Sequence, residues 1–143
     1  MRFGIASAIA AAFVLAAPSV ANADQIGLAH DVNQGPSSSR PEEMTEFNGA
    51  LYFQASDGPH GEELWRADGS TVSMVADILP GPEGAFPGRF AVFNGFLYFS
   101  AEDATSGREL WRTDGTTTTL VKDINPGEGG SNPFNMAPFG GSL

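Results

Sequence analysis

Phe47-Asn48-Gly49 returns as Phe93-Asn94-Gly95, and Leu51-Tyr52-Phe53 returns as Leu97-Tyr98-Phe99, both at an offset of 46 residues. The same spacing carries Glu63-Leu64-Trp65-Arg66 onto Glu109-Leu110-Trp111-Arg112 and Asp68-Gly69 onto Asp114-Gly115, with nothing inserted or deleted. The register reaches outward through Asp31, Asp77 and Asp123, through Gly35, Gly81 and Gly127, and through Pro41, Pro87 and Pro133. Phe139 and Leu143 then match Phe93 and Leu97. A fixed period of this size restricts the chain to a solenoid, a propeller or an array of like units.

Turn residues divide each period into four short strands. In the first they run from Met44 to Phe47, Leu51 to Ala55, Glu63 to Ala67 and Val72 to Ile78; the second ends with Leu120 to Ile124. Asn48-Gly49 and Asn94-Gly95 are hairpin signals, because both residue types tolerate the positive φ that a type I′ turn requires. Nothing after the leader has a helical period. In Leu51-Tyr52-Phe53 and Leu97-Tyr98-Phe99 consecutive residues are all large and apolar or aromatic, so both faces of each sheet need cover. Four-stranded blades stacked about an axis provide it, and propeller blades have about this period. The expectation is an all-β chain of four-stranded antiparallel units, propeller-like, forming an incomplete ring because propellers use about four to eight blades.

Met1-Arg2, the apolar run Ile5 to Ala17, Pro18 and the small residues Ala21 and Ala23 have the layout of a signal peptide cleaved after Ala23. The run is too short for the roughly 20 residues of a membrane span. The expected organisation is a leader at 1–23 followed by a repeat region at 24–143. That region divides into the last strand of a unit at 26–32, units at 33–78 and 79–124, and a partial unit at 125–143. A fragment of a longer repeat protein and a self-associating chain both fit this reading.

Charge and composition narrow the partners. The chain carries 17 acidic against 7 basic residues; loss of Arg2 with the leader takes the net charge from −10 to −11. Such a surface repels nucleic acid and anionic membranes at long range, and no basic stripe offsets it. Export without a single cysteine leaves packing, not disulfides, to stabilise the fold.

Glu109-Leu110-Trp111-Arg112-Thr113-Asp114-Gly115-Thr116 resembles the bacterial ELWxxDGT repeat in full, and Glu63 to Ser70 differs from it at Ser70 alone among the motif's fixed positions. The likeness continues through the Phe-Asn-Gly-x-Leu-Tyr-Phe hairpin and the segment Val121 to Gly127, covering essentially the whole chain after the leader. It implies a tandem repeat of secreted or cell-surface proteins, with a propeller-like fold and no settled activity. Gly140, where Asn48 and Asn94 stand, marks the third copy as degenerate.

Chemistry in the repeat has competing explanations. Asp68 and Asp114 precede a turn glycine, where an Asx hydrogen bond accounts for them; calcium is the alternative. Asp31 and Asp123, each followed by Asn and Gly at alternate positions, are further calcium candidates, although Leu79 breaks the middle copy and Pro36 stands where an EF-hand loop needs glycine. Trp65 and Trp111 are either core residues or sugar-stacking platforms. Glu42-Glu43, Glu62-Glu63 and Glu102-Asp103 are sequence neighbours, which a strand points to opposite faces, so they do not form glycosidase pairs. His30 and His60 are not repeated, and without cysteine they argue against zinc. No nucleophile elbow, phosphate loop or His-Glu-x-x-His occurs. The resulting expectation is a non-enzymatic, secreted or surface scaffold for binding or adhesion, to glycans, to cell-surface proteins or to itself through unpaired blades. The alternatives are a calcium-dependent carbohydrate-binding module and, third, a fragment of a propeller hydrolase.

Overall fold

The computed structural model describes residues 30–143 apart from Ser70 and Phe139. The leader, the Ala23 cleavage site and residues 26–29 lie outside the described residues, and His30 to Val32 carry no strand. The described chain is all-β: eight strands form two antiparallel four-stranded sheets, and no helix is present among the described residues.

The first sheet takes β1 (Glu42–Phe47), β2 (Ala50–Ser56), β3 (Glu62–Ala67) and β4 (Val72–Ala76) in chain order. The second takes β5 (Gly88–Phe93), β6 (Phe96–Asp103), β7 (Gly107–Thr113) and β8 (Thr118–Lys122) in the same order. Registers correspond residue for residue, since Phe53 pairs with Trp65 as Phe99 pairs with Trp111, and a bulge separates Leu64 from Trp65 as another separates Leu110 from Trp111. β1–β2 and β5–β6 turn at Asn48-Gly49 (φ 50° and 74°) and Asn94-Gly95 (φ 47° and 77°), the two positive values of a type I′ turn. Gly140-Gly141 repeats them at 56° and 85°. Positive φ recurs in three copies at Arg40, Phe86 and Asn132 and again at Glu43, Arg89 and Asn135. Positive φ thus returns at the same spacing even where the side chains change.

The last strand of each sheet ends earlier than the sequence expectation, while β1 and β8 begin two residues before theirs. β4 stops at Ala76 rather than Ile78, and β8 stops at Lys122 rather than Ile124. The physical reason is a competing acceptor: the backbone N–H groups of Ile78 and Ile124 donate to the Glu63 and Glu109 carboxylates, leaving the ladder. From there residues 79–87 run back across the start of β3 to β5 as a strap, and residues 125–133 repeat that course.

Period-two alternation sorts the side chains into two layers. Ala50, Tyr52 and Leu64 of the first sheet pack with Leu97, Phe99, Ala101 and Trp111 of the second, with Phe47 set edge-on to Tyr52 at 5.5 Å between ring centroids. The opposite face of the first sheet gathers Phe53, Ala55, Trp65 and Ala67, with Val32, Val72 and Met74 against them. β1 and β5 lie side by side. Thus one face of the second sheet covers one face of the first, which meets the need for cover on those two faces.

Candidate functional site

Glu63 and Glu109 open the ELW segments, and neither carboxylate is exposed. Glu63 Oε2 accepts from the Ile78 N–H (2.9 Å) while Oε1 accepts from Leu79 (3.0 Å) and Ala85 (3.1 Å). Glu109 accepts from Ile124 (3.2 Å), Asn125 (3.0 Å), Ser131 N–H (2.8 Å) and the Ser131 hydroxyl (2.5 Å). Each carboxylate thus clasps both ends of a strap. Strap and sheet are further joined by Phe86 N–H to Glu62 C=O and by Asn132 N–H to Arg108 C=O, both 3.0 Å. The Ala85 carbonyl then accepts from Glu102 of β6 at 2.9 Å, so the first strap ties one sheet to the next.

The two clasps have opposite electrostatics. Burial pushes the Glu63 carboxyl up to about 7, with the N–H groups of Ile78, Leu79 and Ala85 pulling against it and Asp77 adding to the rise. Burial also raises Glu109, but the Ser131 hydroxyl and the N–H groups of Asn125, Ile124 and Ser131 outweigh it and hold the carboxyl below its ordinary range. The folded chain therefore binds the Glu63 proton more tightly than the unfolded chain does, and this contribution to stability falls as pH rises from the ordinary 4.5 to about 7. Glu109 contributes in the opposite sense: its stabilisation is present above the ordinary pKa and is lost as pH falls. Denaturant unfolding across this range should show Glu63→Gln flattening the decline toward pH 7 and Glu109→Gln flattening the loss on the acid side.

Asp68 and Asp114 are used by their own turns. Asp68 Oδ1 accepts from the Thr71 N–H at 3.0 Å and Asp68 lies 3.2 Å from Arg66; Asp114 Oδ1 accepts from Thr116 and Thr117, both at 2.8 Å. Asp31 is exposed and Asp123 half-buried, each in a separate segment. The structure does not bring these four together, and among the described residues no group of three acidic or histidine side chains converges on a metal-sized site. Trp65 is buried in the outer cluster of the first sheet, and Trp111 is half-buried against the layer between sheets. Neither is an open stacking platform, and neither indole N–H has a hydrogen-bond partner among the described residues. The glycine of the Asp-Gly turn has a reason beyond its φ of 96°: a Cβ on Gly115 would lie 2.6 Å from the Tyr52 hydroxyl of the first sheet.

Away from the motif, an open groove of about 760 Å³ lies between residues 33–40 and the β2–β3 loop. Asn33, Ser38, Arg40, Asp57 and Glu62 are among its lining residues. Asp57 shapes that loop, accepting from the His60 N–H (3.0 Å) and meeting His60 Nδ1 at 2.7 Å. This hydrogen bond with Asp57 raises the His60 pKa. Asp103 does the equivalent work with the N–H groups of Thr105 (2.8 Å) and Ser106 (2.6 Å). Of the lining residues only Gly35 and Asp57 recur unchanged one period later. Arg40 gives way to Phe86, and Glu62 to Arg108, whose guanidinium reaches the carbonyl of Phe86 at 2.9 Å.

The groove is not legible in the sequence because most of its lining departs from the period. Sequence reasoning also misses Gly61, Gly84, Gly107 and Gly130, although these do recur, as two pairs 46 residues apart. Comparison with protein-family models, with curated proteins and with solved structures finds no match to this chain.

Proposed function

We propose that this chain is an exported binding scaffold of the ELWxxDGT kind, in which two neighbouring blades of a propeller-like array carry a polar ligand groove. The observation that carries the reading is a division of labour between repeated and unrepeated residues. The repeated polar side chains, Glu63, Glu109, Asp68 and Asp114, hold straps and turns, whereas Arg40 and Glu62 line the groove and are not repeated. A scaffold built this way changes its recognition surface without disturbing its framework. Support for blades comes from the stacked faces of the two sheets, their adjacent first strands and the strap that joins them. Export is read from the leader-like residues 1–23.

Interleaved cationic, anionic, amide and hydroxyl groups suit a polyhydroxyl ligand, so glycans are the ligand class and the scaffold performs no catalysis. A glycan array, run with calcium and with a chelator, tests the proposal. Binding that survives the chelator and weakens about tenfold or more in Arg40→Ala, a loss of about 1.4 kcal/mol, is the expected result. Because Arg40 is exposed, thermal stability should stay close to that of the parent. Binding abolished by the chelator would favour the calcium-dependent alternative, and no glycan binding at all would overturn the assignment.

A further inference from the structure

The layer between the sheets is a worked example of what this chain's own surfaces fit. On the first sheet Tyr52 is 2% exposed, because the Gly115 turn and Leu97 of the second sheet lie over it. One period later Tyr98 occupies the same place on the second sheet but is half-exposed. Beside it Phe96 stands where the first sheet has Ala50 and sets its ring edge-on to Tyr98 at 6.2 Å, while the Arg112 guanidinium lies 4.4 Å over Phe96. The counterparts of the covering groups are within reach too: Gly69, matching Gly115, is exposed, and Leu51, matching the fully buried Leu97, packs against the outer cluster of the first sheet but stays half-exposed. The chain thus presents a knob at one end and the matching notch at the other.

We propose that the Phe96–Tyr98–Arg112 face docks on a second copy of this chain, the Tyr98 side chain seating against the partner copy's Gly69 turn and Leu51, so that copies associate head to tail. The contact extends the layer that already joins the two sheets. Strand direction keeps it clear of the straps: Leu51 pairs with Ala67 at the rim bearing the Asp-Gly turn, whereas Ser56 and Glu62, where a strap crosses, pair at the opposite rim. A heterologous contact of this kind leaves one knob and one notch free at the ends of every assembly until a ring closes, so growth beyond a dimer follows from the geometry. The inference rests on the stacked-blade reading above but not on the groove, and glycan binding and association are measured separately.

Light scattering on the size-separated full chain, produced with its own N-terminus so that processing takes place, is the test. The mass should rise with concentration to about twice the monomer or more. Tyr98→Asp should hold the chain at monomer mass, as should Gly69→Asn, a substitution that tolerates positive φ while filling the notch. Circular dichroism checks that both variants remain folded. An equimolar mixture of the two should form dimers and stop there, because one intact knob meets one intact notch. A parent chain that stays monomeric, a Gly69→Asn variant that still associates, or a mixture of folded variants that does not would each overturn the proposal. Should Tyr98→Asp fail to fold, Tyr98→Ala takes its place in the same mixture.

Discussion

Replacing Glu63 with alanine is expected to cost about 3 kcal/mol or more of folding stability, because three backbone donors lose their acceptor at once and a buried unsatisfied group costs about 1–3 kcal/mol. The Ala85 bond is the most deeply buried of the three, those of Ile78 and Leu79 being partly reached by solvent, which sets the estimate near the low end of the sum. Glu63→Gln should fall between parent and alanine. Its carbonyl oxygen can still accept from Leu79 and Ala85, but the amide N–H₂ then meets the Ile78 N–H donor against donor. Glu109→Ala should cost less, since its partners at Ile124, Asn125 and Ser131 are all partly solvated. Urea unfolding of the four chains at one pH gives the ranking. Hydrogen exchange at Ile78, Leu79 and Ala85 then tells whether the strap is the element released. An alanine variant as stable as the parent would show that water replaces the carboxylate and that the clasp does not hold the sheets.

The ranking follows from what the sequence could and could not disclose. Hairpin turns and strand alternation are local, so the eight strands and their antiparallel order are legible from Asn-Gly pairs and from the apolar runs around Tyr52 and Tyr98. The place of Glu63 is not local. Its partners lie 15, 16 and 22 residues away, and a glutamate beside Leu and Trp in a strand reads as surface charge until the strap returns over it. In the same way the sequence carries strand composition through Ile78 and Ile124. Only the long-range acceptor turns their N–H groups aside. The sequence leaves Trp65 and Trp111 open between core and platform because alternation assigns a face but not what covers it. The groove was hidden more completely, since it is formed by Arg40 and Glu62, which follow no pattern. A repeat exposes its framework and conceals what the positions that differ between copies build, because only the recurring residues announce themselves in the sequence.

Gly84→Ala should be as damaging as loss of the clasp, at about 3 kcal/mol or more, and a matched control separates its two causes. Gly84 has φ 73°, and a Cβ there would fall 2.1 Å from the Glu62 nitrogen and 2.9 Å from the Gly61 carbon. Those atoms are backbone held in β3 and at its entry, so no side chain can swing aside. Gly49 has nearly the same φ, 74°, with nothing within 4 Å of its Cβ position. Gly49→Ala therefore reports the left-handed backbone alone, about 1–2 kcal/mol, and the excess for Gly84→Ala measures the close crossing of strap and strand. Gly130 has the equivalent crossing, 2.4 Å from the Arg108 nitrogen. The first crossing joins the two sheets through Ala85, so Gly84→Ala should lower the global unfolding midpoint. Gly130→Ala should act mainly on the final strap, releasing the Asn132 amide to exchange while Phe86 stays protected. If Gly84→Ala cost no more than Gly49→Ala, the strap would be free to lift, and the two sheets would be held together by the apolar layer of Tyr52, Leu64, Leu97 and Phe99 without it.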